Sequence, residues 1–265
     1  MKKKPARPLP KKPAPPAVQK KSLAEKLEMW MEKRSRWLLL AAIILAIILG
    51  AFQFNYRISE ANDDSMYLED AFKFSKNFFG YYTANAPFYP MFLSLLIKLF
   101  GFKLLLLKLT GFLFMIVHLY FLFAAFEKRI PYTVLFFVLF FTSVNPYMLY
   151  YASMTFTEQF FMMQQAIFLY LFFRSYDRLN EDHSLVQRIM LWLPTGFMLF
   201  ILTMSRNVAI GILIPVIVFL LYDKKFKDAG YFLIAFAIFR IPFEFARKAL
   251  WGNTNQFSNQ FSKLI

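Results

Sequence analysis

Residues 87–101, PFYPMFLSLLIKLFG, either cross a membrane or lie along its surface, and that choice sets the side of every later loop. The stretch offers 15 residues, bounded by Pro87 and Gly101 and interrupted by Lys98. A hydrocarbon core of about 30 Å needs about 20 helical residues. Seven further apolar runs surround it, at Trp37–Phe54, Leu104–Phe126, Pro131–Tyr151, Phe156–Phe173, Ile189–Thr203, Val208–Tyr222 and Ala229–Phe245. Cytoplasmic loops carry the excess of Lys and Arg in membrane proteins. With residues 87–101 on the outer surface, the connections Glu127–Ile130, Arg174–Arg188 and Asp223–Asp228 all face the cytoplasm, beside the basic N-terminus. Those three loops hold eight cations, and the short outer connections hold only Arg206 before the C-terminal stretch. If residues 87–101 span instead, all eight cations face outward. Charge and spacing therefore predict an all-α polytopic membrane protein of about seven transmembrane helices, in the cell (inner or plasma) membrane with its N-terminus cytoplasmic.

Composition agrees with that class. The chain has 265 residues, 58% of them hydrophobic and 20% aromatic, while only 18% are charged. Soluble domains are about 45–50% apolar and about 25% charged, so one water-soluble core could not hide this many apolar side chains. The absence of Cys excludes disulfides and thiolate metal sites. The formal net charge of +15 resembles a nucleic-acid signature until it is located. Residues 1–36 supply +9 of it, from 12 basic and three acidic residues, together with six prolines. A Pro/Lys tract builds no core and reads as an extended, solvated tail. No aromatic or glycine pattern interleaves its lysines, so the expected partner is anionic lipid and not nucleic acid. Ser22 and Glu25 have capping-box spacing, and the helix they open places Leu23, Leu27 and Trp30 to lie on a membrane surface. The tail is also far too long for the basic region of a cleavable signal peptide.

Three segments follow from this reading: the basic cytoplasmic tail 1–36, a transmembrane module 37–245, and an outer-face segment 246–265. Within the module, residues 55–103 form one long outer loop with surface helices over 65–79 and 87–101. The first places Tyr67, Ala71, Phe74 and Phe78 at helical spacing on one apolar face. The fifth and sixth runs are short, about 15 residues each, and read as a tilted or thinned hairpin.

Few charges remain near the outer face. Asp63 and Asp64 open the first surface helix. An outer carboxylate there suits a general base for a hydroxyl or amine nucleophile, or, with a second acid, an oxygen ligand for a divalent metal. The simpler reading makes Asp64 or Ser65 a helix cap and leaves Asp63 solvated. Glu158 stands at the outer start of the fourth run. Thr155-x-x-Glu158 has capping-box spacing, yet a lone acid at a membrane boundary is also a functional candidate. Arg206, between the fifth and sixth runs, reads as a snorkelling cation or as a clamp for a lipid phosphate. His118, Gln164 and Gln165 suit interhelical hydrogen bonds. Arg240 and Glu244 have i,i+4 spacing for a pair. Asp177, Glu181, Asp182 and His183 read as a solvated cytoplasmic connection. No phosphate-binding glycine loop, zinc spacing or nucleophilic triad occurs.

Three stretches then form a familiar order. They are Asp63-Asp64-Ser-Met-Tyr67 with Ala71, Ala86-Pro87-Phe88-Tyr89-Pro90 ending in Leu99-Phe100-Gly101, and Asn145-Pro146 followed by Ser153 and Glu158. With Met204-Ser205-Arg206-Asn207, the arrangement resembles the GT-C glycosyltransferases, in particular the protein O-mannosyltransferase and aminoarabinose transferase branch. The likeness covers residues 37–222. It implies a polyprenyl-phosphate sugar as donor and a protein, lipid or glycan acceptor, with inverting transfer on the outer face. It implies Asp63 as the base, Asp64 and Glu158 as supporting acids, and Arg206 as the donor-phosphate residue. In members that use a divalent metal, Asp63 and Glu158 would be its ligands. The chain departs from the family in length, since members usually continue with more spans. The expectation is therefore of a fragment, a minimal form or an inactive relative, with a further protein subunit as one way to complete the site. The alternative function is a non-catalytic membrane scaffold or accessory subunit on the same seven-span module.

Overall fold

The computed structural model describes residues 21–54, 62–83, 87–179, 181 and 184–251. The Pro/Lys tract 1–20, the loop residues 55–61, Ala86, Asp182, His183 and the segment 252–265 lie outside the described residues. Among those described the chain is helical and no strand forms. An amphipathic α1 (Leu23–Lys33) leads into α2 (Ser35–Gln53), and α3 (Asn62–Lys76) and α4 (Phe88–Phe100) follow. Then come α5 (Leu104–Phe126), α6 (Tyr132–Val144), α7 (Pro146–Ala152), α8 (Thr157–Asp177) and α9 (Leu185–Ser205). A 3-10 segment (Asn207–Ile212) enters α10 (Leu213–Tyr222), and α11 (Phe226–Trp251) closes the described chain.

Four helices, α2, α5, α9 and α11, are long and apolar enough to cross a membrane, and the pair α6–α7 makes up to five if it counts as one bent span. That pair bends by 58°. The expected run Pro131–Tyr151 is thus built from two helices. Asn145 ends α6 and caps α7, its side-chain oxygen accepting from the backbone N–H of Tyr147 at 2.9 Å. Pro146 occupies the first position of α7, where a missing N–H costs nothing. The fifth run is not short either. Ser184 forms a capping box with Gln187, which starts α9 ahead of the apolar run and gives it 21 residues. The sixth run, 207–222, stays short.

Between lipid-facing helices apolar contact offers little net drive, so association depends on close packing and small residues. Ala42, Ala46 and Gly50 form such a stripe on α2. Gly196 lets α9 approach α11 so closely that an added Cβ would stand 2.6 Å from the Ala235 carbonyl carbon. Gly111 plays the same part where α5 meets the Ala152 carbonyl of α7. α5 packs most extensively on α8, and α9 on α11.

Polar contacts gather at two ends of the bundle. At one end Glu28 of α1 accepts from the Tyr132 and Thr133 N–H groups, the latter at 3.0 Å, and so caps α6 from outside. Desolvation opposes the charge on Glu28, but those bonds and one from the Thr133 hydroxyl outweigh it and hold its carboxyl below the ordinary value. The same end contains Arg129–Asp177 at 2.6 Å, Tyr176 donating to Asp223 at 2.6 Å, and Arg188–Asp228 at 3.1 Å. Asp177, expected to be solvated only, is therefore ion-paired, although its side chain is 61% exposed. α1 buries no side chain and leaves Leu23, Leu27 and Trp30 exposed, as a surface-lying helix would.

Several expected partners form. Ser22 and Glu25 make their capping box. His118 bonds through Nδ1 to the Met162 carbonyl of α8 at 2.9 Å. Arg240 pairs with Glu244 at 2.5 Å, and Arg247 joins at 2.8 Å. Gln164 departs from expectation: its side-chain amide is buried in α8 with neither nitrogen nor oxygen hydrogen-bonded.

Candidate functional site

The site is assembled where α3 docks on the α7–α8 junction. α3 starts at Asn62, three residues earlier than residues 65–79 predict, so Asp64 and Ser65 lie inside it and not at its cap. Helical spacing turns Asp64, Tyr67, Leu68, Ala71 and Phe74 inward, all of them buried. Asp63, one position earlier and four before Tyr67, is exposed. The second loop helix, α4, packs beside α3 and contributes Tyr89, Leu93 and Ile97 to a shared core with Leu107 and Phe114 of α5 and Phe160 of α8.

Asp64 is fully buried and accepts from the backbone N–H of Thr155 at 2.9 Å, and from the Thr155 hydroxyl. Thr155 therefore does not cap α8 as the Thr-x-x-Glu spacing predicts. α8 begins at Thr157, its N-cap is Phe156, and no side chain caps it. A distant acceptor has taken the hydroxyl that the local pattern assigned to Glu158. Lys108 of α5 is buried beneath this junction, its Nζ 3.5 Å from Met154 Sδ and within the field of the Asp64 carboxylate.

Glu158, in the first turn of α8, makes a 2.9 Å ion pair with Nη1 of Arg206. Arg206 terminates α9 in extended backbone, φ −153° and ψ 130°, which turns the chain into the 3-10 segment. Its side chain remains 39% exposed despite the pair. A planar guanidinium with several N–H donors can hold a carboxylate and still face an outside oxyanion.

Tyr67 joins the two halves. Its hydroxyl bonds Thr157 and lies in the fields of Asp63, Glu158 and Arg206. Burial pushes this phenol up, the two carboxylates push further, and the Thr157 bond and Arg206 only partly offset them. Tyr89, packed edge-on against Tyr67 at 5.5 Å, is pushed well above its ordinary value by burial and then by Asp64 and the other neighbours. Both phenols are thus protonated donors at neutral pH. Through Tyr67 and Tyr89 the structure brings all four predicted residues, Asp63, Asp64, Glu158 and Arg206, to one neighbourhood. Their situations differ. Asp64 is locked, Glu158 is paired, and Asp63 is the exposed carboxylate of the group.

Sequence reasoning missed Lys108, the Tyr67 hydroxyl and Thr157, and it gave Thr155 the wrong partner. Lys108 was within reach, because a lone ammonium inside an apolar helix is a candidate by default. Among the described residues no group of three or more carboxylate or imidazole side chains gathers where it could hold a metal ion. Of the expected ligands Asp63 and Glu158, Glu158 is already held by Arg206, so the donor set does not fit a resident divalent cation. No step below passes through one.

No protein-family model, no curated protein and no solved structure matches this chain.

Proposed function

We propose that this chain is a GT-C-like membrane glycosyltransferase that moves a sugar from a polyprenyl phosphate to an acceptor hydroxyl at the outer membrane face. The observation that carries the reading is that an exposed carboxylate, Asp63, and a part-exposed guanidinium, Arg206, both act through their charge on the Tyr67 hydroxyl. The acceptor oxygen attacks the anomeric carbon and loses its proton to Asp63. The carbon–oxygen bond to phosphate breaks, and its electron pair leaves with polyprenyl phosphate. Arg206 offsets that charge, Glu158 fixes the direction of the guanidinium, and Tyr67 donates to an oxygen in the site.

The seven-span arrangement belongs to the same proposal. It adds α8 and the segment 207–222 to the five apolar spans, with α3 and α4 lying at the outer face. Support comes from the separation of contacts. Glu28, Arg129, Tyr176 and Arg188 bind partners at one end. At the other, Asp64 meets Thr155, Glu158 meets Arg206, and Trp251 Nε1 donates to the Phe79 carbonyl at 2.8 Å. A cysteine at position 128 is expected to react with an impermeant thiol reagent only after the membrane is opened; labelling of intact cells would reverse the orientation.

Polyprenyl phosphate binding tests the site itself. Arg206→Gln is expected to weaken it about tenfold or more, the loss of one charge-assisted contact of about 1.5–3 kcal/mol. Unchanged affinity would remove Arg206 from the donor site. One observation favours the rival scaffold reading: two of the three acids in the cluster already have partners within the protein. A scaffold tolerates replacement of Asp63, whereas the enzyme does not.

A further inference from the structure

A polar cavity lies at the end of the bundle opposite Asp63 and Arg206, between the α5–α6 connection and the last turns of α8. Its volume is about 490 Å³, and Lys128, Arg129, Arg174 and Arg178 line it against only two carboxylates, Glu127 and Asp177. Asp177 is committed to Arg129, whose guanidinium also lies 4.1 Å from the centroid of the Phe173 ring. Lys128, Arg174 and Arg178 are exposed. Phe173 forms part of this wall and also borders an apolar slot of about 400 Å³ between α8 and α10, reaching Leu169, Phe168 and Val216. A basic chamber thus adjoins a slot with almost no polar lining.

We propose that this pair of cavities binds an anionic phospholipid of the inner leaflet, its phosphate among Lys128, Arg174 and Arg178 and one acyl chain in the slot past Phe173. Charge complementarity selects the head group, because two more cations than carboxylates surround the chamber. The adjoining slot selects a lipid over a free phosphate ion, which would leave about 400 Å³ of apolar space unfilled. The site lies at the far end from Asp63 and Arg206. It rests on the inward orientation of these loops and not on the transfer reaction.

The test uses the full-length protein in neutral detergent, titrated by native mass spectrometry with phosphatidylglycerol and with phosphatidylcholine of the same acyl composition. Phosphatidylglycerol is expected to bind about tenfold tighter, and Lys128→Gln with Arg174→Gln to remove most of that preference. This double variant keeps the basic N-terminal tail, so any residual preference in it belongs to the tail. Leu169→Trp, which fills the slot, is expected to weaken phosphatidylglycerol several-fold. Wild-type protein provides the second measurement: phosphatidylglycerol with a photoreactive acyl chain should label residues 165–173 and 212–219. Equal binding of the two lipids, an unchanged double variant, labelling elsewhere, or displacement by inorganic phosphate at matching concentrations would each overturn the proposal.

Discussion

Asp64→Ala is expected to destabilise the protein by about 3–5 kcal/mol, the usual cost of removing one side of a buried charged contact. The carboxylate has no exposure, and its loss leaves the Thr155 N–H without its acceptor and the hydroxyl with only the Asp64 backbone carbonyl at 3.5 Å. It also removes an anion whose field acts on the buried ammonium of Lys108. The docking of α3 on the α7–α8 junction should loosen, and with it the placement of Asp63 and Tyr67. Thermal unfolding in detergent and protease sensitivity around residue 62 measure this directly. Asp64→Asn keeps an acceptor for Thr155 and should cost less. Asp64→Leu combined with Lys108→Met removes both charges and should recover part of the loss. If Asp64→Ala melts with the wild type, the buried junction is not what fixes α3.

Asp63→Asn should act in the opposite manner, with an intact fold and a large loss of turnover. The side chain is exposed and none of the buried contacts at the junction involves it, so melting should shift little. Removing a general base costs about 10²–10⁴-fold in rate. The loss should appear in kcat with donor affinity nearly unchanged, whereas Arg206→Gln should act mainly through the donor. A scaffold would show neither effect.

The helices were legible because apolar runs and caps are local signals. Ser22 with Glu25 marked the start of α1. The break at Asn145 was not read, because the apolar residues on both sides concealed the local signal of Asn before Pro at a helix start. The extent of α9 was misjudged because Gln187 and Arg188 look like loop residues until Ser184 caps the helix that contains them. Thr155 shows the limit most clearly. Its spacing to Glu158 predicts a cap, and only the folded chain reveals that Asp64, 91 residues earlier, takes its hydrogen bonds. The Glu158–Arg206 pair spans 48 residues and needs the α8–α9 packing to exist. Local pattern can nominate such residues, but their partners are set by tertiary contacts.

Release of polyprenyl phosphate from a polyprenyl-phosphate sugar, followed in proteoliposomes of defined orientation with a panel of sugars and hydroxyl acceptors, tests the central claim most directly. Acceptor-dependent release is expected on the face bearing Asp63 and Arg206, falling at least about 10²-fold in Asp63→Asn. Equal release by wild type and Asp63→Asn, or no release from any donor by a folded wild-type protein, would contradict it.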